Sequence, residues 1–245
     1  MKKGKIYIGT SGYNYSDWKG VFYPKDLPQK RWLEHYQKFF GTVELNVTFY
    51  RLPQKAAFKS WDKRTRKDFV FALKGSRFIT HIKRLKEPKK SLKIFFEQSS
   101  PLKKKAKIIL WQLPPSYKIN LKRLEIFLKE TRKCKVRNAF EFRHESWFCD
   151  DVFGLLKKYG ATFCFADWPK FNKKAPEDFT YIYVRRHGEI LGLLYCRKYT
   201  DRELKKDAEN IKKWLKEGKD VYVYFNNDRN GYAVENALTL ERLTK

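Results

Sequence analysis

The segment Ala139–Phe148, AFEFRHESWF, carries the reading on which the fold turns. An apolar run ends abruptly in Glu141, Arg143 and His144, and the aromatic pair Trp147 and Phe148 follows. Side chains alternate faces along a strand, so Glu141 and Arg143 point the same way, and the apolar setting makes that way inward. Two opposite charges are costly to bury unless each meets a partner or a ligand. A strand of this kind is a structural element and a candidate site at once.

The pattern recurs. Short apolar runs fall at Lys5–Gly9, Thr42–Val47, Phe69–Lys74, Lys107–Gln112, Asn138–Arg143, Ala161–Ala166, Thr180–Arg185 and Val221–Phe225. Helical patterns lie between most of them. Gln29–Phe40 sets Trp32, Tyr36 and Phe40 on one face, and Leu121, Leu124 and Leu128 do the same after Pro115. Leu204, Ala208, Ile211 and Leu215 mark an amphipathic helix stopped by Gly218, and Tyr232–Leu243 closes the chain with another. Only the interval between the sixth and seventh runs lacks a helical pattern; it holds Pro169 and Pro176 and reads as a loop. Eight strands alternating with helices predict one α/β domain over residues 1–245, a (β/α)8 TIM-type barrel that is irregular between strands 6 and 7. A doubly wound open sheet is the rival, but no GxGxxG or Walker sequence supports it.

Composition agrees with a globular chain: 245 residues, 42% hydrophobic and 17% aromatic, with no Gly/Ser-rich hinge. No stretch approaches the length of a membrane span, and the basic start has no apolar signal region, so a cytoplasmic address is expected. The four cysteines, Cys134, Cys149, Cys164 and Cys196, have no CxxC spacing and read as reduced small hydrophobes. The net charge is extreme, +28 from 55 basic and 27 acidic residues. Such a field attracts nucleic acid and other polyanions. Lysines run all along the chain, however, and a general lysine bias would look the same.

In a barrel, chemistry gathers at the C-terminal ends of the strands. Those ends supply Thr10, Ser11 and Gly12; Glu44 and Asn46; Lys74; Gln112; Glu141, Arg143 and His144; Asp167 and Trp168; Arg185, Arg186 and His187; and Asn226, Asn227 and Asp228. Any one of these alone reads as a rim residue or half of an ion pair. Their convergence on one end reads as a polar pocket, with Tyr13, Tyr15, Trp18, Phe22 and Tyr23 available for one wall or for loop packing. No cofactor is expected. A divalent metal would need an N/O set from His81, His144, His187, Glu44, Glu141 and Asp167, and no HxH or i, i+4 pair specifies one.

With these residues the chain resembles the YecE-like family, barrel proteins of unassigned reaction. The matching stretches are IGTSGYNYSDWKGVFYP, VELNVTFYRLP, FVFALKGSRFITH, WQLPPSYK, FEFRHESWF, YVRRHG and YVYFNNDRNGYAVENA, from Ile8 to Ala237. Tyr13 stands where that family usually has Trp. The resemblance implies a TIM-type barrel and singles out Glu44, Asn46, Tyr50, Lys74, His81, Gln112, Glu141, Arg143, His144, Arg185, His187, Asn226 and Asn227. Its fold-level likeness to endonuclease IV and xylose isomerase-like barrels is analogy only.

The favoured expectation is a strand-end pocket that binds a phosphate-bearing ligand, nucleic acid among the candidates, and hydrolyses a phosphodiester. Lys74, Arg143 and Arg185 would hold phosphate oxygens; Glu141 or Glu44 would act as base and His144 or His187 as acid. Asn46, Tyr50, His81, Gln112, Asp167, Asn226 and Asn227 would orient the ligand. The alternative is a metal-independent enzyme or binder for a small sugar-acid-like metabolite. It predicts a compact pocket and lysines spread evenly over the surface. A third reading makes the polar ring an internal salt-bridge network. No membrane partner is expected, and protein partners are left open.

Overall fold

The computed structural model describes residues 3–168 and 175–245. Eight parallel strands form one sheet: β1 (Ile6–Thr10), β2 (Thr42–Leu45), β3 (Val70–Lys74), β4 (Ala106–Gln112), β5 (Arg137–Glu141), β6 (Thr162–Ala166), β7 (Tyr181–Arg186) and β8 (Asp220–Phe225). Their order, β1-β8-β7-β6-β5-β4-β3-β2, brings β1 and β2 to the two ends. The seam between those two is closed locally. Gly12 N donates to Glu44 O at 2.8 Å, and the Tyr36 hydroxyl accepts from Thr10 N and donates to Thr42 O, both at 3.0 Å. Gly9 permits the approach, since a Cβ there would lie 2.4 Å from Thr42 O. The result is the expected (β/α)8 TIM-type barrel.

The helices around it are α1 (Trp32–Tyr36), α2 (Val47–Tyr50), α3 (Lys55–Arg64), α4 (Pro88–Ser99), α5 (Leu121–Arg132), α6 (Asp150–Lys158), α7 (Asp201–Lys216) and α8 (Tyr232–Thr244). α1 is shorter than its apolar spacing suggests, because Gln29–Arg31 winds as a 3-10 turn and Phe40 packs from beyond the helix. α7 is best specified by sequence. It buries Leu204, Ala208, Ile211 and Leu215, opens on a Thr200–Glu203 capping box, and is followed by Gly218 at φ +79°. No helix is assigned between β6 and β7 among the described residues; part of that expected loop, 169–174 with Pro169, lies outside them. No helix among the described residues is long and apolar enough to cross a membrane.

Strand alternation divides the buried residues in two. One cluster fills the layer between strands and helices, with Phe71, Ile109, Phe140, Phe163, Val184 and Val223 among its members. The other fills the barrel: Val70, Ala72, Ile108, Leu110, Ala139 and Cys164, with the tyrosines 181, 183, 222 and 224. Inside, β2, β3, β4, β5 and β7 carry Glu44, Lys74, Gln112, Glu141 and Arg185 at their C-terminal ends, and that polarity positions the site.

Candidate functional site

Arg185 lies at the centre. The Tyr183–Arg185 face of β7 points into the barrel, while the next residue, Arg186, points outward and donates to Asp207 on α7 at 2.8 Å. Arg185 is fully buried. It donates to Glu141 Oε2 at 2.7 Å, Glu44 Oε1 at 2.8 Å and Ser11 Oγ at 2.9 Å, so it bridges the ends of β5, β2 and β1. Glu141 gives its other oxygen to Arg143, whose Nε donates to Oε1 at 2.8 Å. Burial alone would raise the Glu141 carboxyl, but the guanidiniums of Arg143 and Arg185 outweigh it and hold the group well below the usual carboxylate range. Glu44 also accepts from Tyr183 OH at 2.6 Å and from the Ser11 hydroxyl. Two carboxylates are thus matched by two guanidiniums.

Lys74 is the cation left over. It ends β3 with 7% exposure and has no ion pair or hydrogen bond on its ammonium among the described residues. The ammonium rests 4.3 Å from the Phe49 ring centroid. Burial, and then the charge of Arg185, push it down to about 7. His81 packs on the same Phe49 ring, 5.0 Å between centroids, and its Nε2 is 3.5 Å from Gln112 Nε2. Burial, followed by the Lys74 charge, lowers His81 to about 4, so its imidazole is neutral at neutral pH.

His187, fully buried, completes the far side. Its Nδ1 is 3.1 Å from Asn226 Nδ2; with the amide donating, the ring proton sits on Nε2, 3.3 Å from Glu141 Oε1 but out of hydrogen-bond alignment. Burial lowers its affinity for a second proton. Its backbone N–H donates to Asp167 Oδ1 at 2.8 Å, and Asp167 also receives the Tyr199 hydroxyl. Arg143 stacks on Trp168 at 4.6 Å. Asn46 donates to Ser11 O at 3.1 Å.

Glu44, Glu141, Arg143, Arg185, His187, Asn226, Lys74, His81, Gln112 and Asn46 are therefore brought to one end of the barrel. Three expected residues are placed differently. His144 takes a hydrogen bond with Ser146 Oγ at 2.9 Å and caps the turn Glu145–Trp147. Tyr50 is 75% exposed at the end of α2. Asn227 is buried behind the mouth, donating to Arg197 O at 2.8 Å and Asn236 Oδ1 at 2.9 Å. Ser11 and Tyr183 were not foreseen as partners of the carboxylates, although Tyr183 sits two residues from Arg185 and shares its face. Asp228, expected at the same strand end, has an Oδ1 buried without a hydrogen-bond partner among the described residues, and burial raises the carboxyl to about 8.

Among the described residues no group of three or more His, Cys, Asp or Glu stands together as a metal set. The carboxylates that would anchor one are engaged by guanidinium and hydroxyl donors. A cavity of about 410 Å³ lies outside the barrel wall, against Phe163, Phe165, Val184, Ile211 and Trp214; it does not reach the paired carboxylates.

Comparison with known proteins places this architecture. The family described as "Protein of unknown function DUF72" matches residues 7–245. The Bacillus subtilis UPF0759 protein YunF is 26% identical over 265 residues, 94% of this chain and 92% of its own. A DUF72 family protein of Thermotoga maritima superposes with TM-score 0.85 at 32% identity, covering 98% of both chains. One from Enterococcus faecalis gives 0.80 at 21% identity over 98% and 95%. A D-psicose 3-epimerase, 9% identical with TM-score 0.54 over 100% and 98%, shares the fold alone. The resemblance read from the sequence motifs is supported at this broader family level: the chain belongs to the DUF72 family.

Proposed function

We propose that the barrel mouth binds a small phosphate-bearing ligand and uses Lys74 to hold it. One observation carries the reading: Glu44 and Glu141 are paired with Arg143 and Arg185, and the buried Lys74 ammonium has no ion pair of its own among the described residues. An ammonium in that setting is costly until a ligand supplies the missing charge. Arg143, 9% exposed along its side chain, and the donors of Gln112 and Asn226 stand ready to orient the ligand. Phosphodiester hydrolysis with Glu141 as base draws less support, because a carboxylate pinned by two guanidiniums takes up a proton poorly.

Calorimetry with inorganic phosphate and with a sugar phosphate, against the unphosphorylated sugar, tests the reading. One charge-assisted contact contributes about 1.5–3 kcal/mol, so the phosphorylated ligand should bind roughly tenfold to a hundredfold more tightly and Lys74→Met should abolish the difference. Equal binding of both sugars, or indifference to Lys74→Met, refutes it.

The net charge of +28 favours a second reading in which nucleic acid supplies the phosphate. Against it, lysines occur on α3, α4, α5 and α7 around the barrel and not as one stripe. A protein neutralising about five phosphates would show a log–log salt slope near −4 to −5. Negligible DNA and RNA binding at low salt removes this version.

A further inference from the structure

The cation that anchors the proposed site is also an amine, and its surroundings suit it to covalent chemistry. Resting on the anion site just proposed, we propose that Lys74 Nζ is a nucleophile that forms an imine with a small carbonyl compound bearing a phosphate or carboxylate.

The geometry is that of a protected amine at the C-terminal end of β3. The side chain is enclosed by the barrel, with only 7% exposure, and the Phe49 ring lies 4.3 Å from Nζ. A carboxylate would keep the amine protonated and tie up its hydrogens. Here both nearby carboxylates are already taken: Glu141 by Arg143 and Arg185, and Glu44 by Arg185, Ser11 and Tyr183. Burial first, and then the charges of Arg185 and Arg143, disfavour the charged form and bring the group to about 7. The groups that face it are therefore Arg143, Arg185, Glu44, Glu141 and His81, of which only the two glutamates favour the proton. His81, with a neutral imidazole, packs on the same Phe49 ring and adds no positive charge there.

The step balances without an outside reagent. Nζ adds to the carbonyl carbon, one C–N bond forms, and the oxygen takes a proton to give a carbinolamine. The carbon–oxygen bond then breaks, and both amine hydrogens leave with the oxygen as water. The imine, once protonated, restores the positive charge beside the ligand's own anionic group.

Borohydride trapping on the intact wild-type protein tests this without a variant that must fold. Glyoxylate and dihydroxyacetone phosphate are the probes, at pH 7, with adducts mapped by peptide mass spectrometry. A group near 7 has about half its amine free, against roughly one part in a thousand or less for an ordinary lysine. Lys74 should therefore be the dominant adduct, at least about tenfold over any surface lysine, and trapping should fall as pH drops to 6 and 5. Labelling spread over surface lysines with Lys74 unmodified overturns the proposal. Inorganic phosphate in excess separates the two readings. If calorimetry shows phosphate bound but Lys74 is never trapped, the imine is wrong and the anion site stands. If Lys74 is trapped and phosphate neither binds nor competes, the imine stands and the phosphate site is wrong.

Discussion

Glu141→Gln is the substitution that most directly tests the ion-pair floor. Each Glu141 oxygen faces a different arginine: Oε1 accepts from Arg143 Nε at 2.8 Å and Oε2 from Arg185 Nη1 at 2.7 Å. Whichever way a glutamine amide turns, its NH2 group meets a guanidinium, so one contact becomes donor against donor. The floor also loses its charge balance, with Glu44 left facing Arg185, Arg143 and Lys74. Breaking a buried pair from one side costs about 3–5 kcal/mol, and a domain of this size moves about 2–4 °C per kcal/mol, so Tm should fall by roughly 6–20 °C. The exposed pair Lys93–Glu97, 3.8 Å apart, is the control; Glu97→Gln should change stability by no more than about 1 kcal/mol. The pH dependence has a definite sign. The folded-state affinity of Glu141 for protons is depressed, so its contribution is present above the unfolded carboxylate range and is lost as pH falls through the folded value. The gap between wild type and Glu141→Gln should hold from about pH 8 to pH 5 and narrow only below about pH 4. Thermal and urea unfolding across that range provide the assay. A loss under about 1 kcal/mol at pH 7, or a gap that closes between pH 8 and 6, would falsify the argument.

Four further outcomes can be measured. Gly75→Ala would place a Cβ 2.2 Å from Trp111 Cε3, and Trp111 is held by Asn138 at 2.8 Å; urea denaturation should show a loss of about 1–3 kcal/mol. Gly154→Ala, exposed in α6 with nothing within 4 Å, should instead stabilise by about 0.5–1 kcal/mol. Tyr183→Phe strips Glu44 of a buried donor at 2.6 Å and should lower the unfolding free energy by about 1–3 kcal/mol. In proton NMR, His81 should keep its neutral-form shift down to about pH 4; a midpoint at its ordinary value of about 6.5 would contradict its placement beside Lys74.

Much of the site was legible because the barrel obeys two periodicities. Period-two alternation put Glu141 with Arg143 on one face and separates Arg185, inside, from Arg186, outside. The recurrence of strand and helix decided the number of strands, and with it the end of the barrel at which polar residues gather. The same rule could have found Tyr183 from Arg185, but not its partner, because the tyrosine meets Glu44 across 139 positions of chain. His144 and Asn227 share the strand-end signature of their neighbours yet serve a local turn and a buried loop.

By itself, the sequence determined which side chains face inward and that their charges converge, since both depend on local backbone geometry. Tertiary structure decided the pairing. Alternation says that Glu44, Lys74, Glu141, Arg143 and Arg185 share the barrel interior, but their mutual distances depend on closure of the sheet through the β1–β2 seam. Closure lets Arg185 satisfy two carboxylates at once and leaves Lys74 with none. The strand that opened the reading, with Glu141 between two arginines, is the floor of the site.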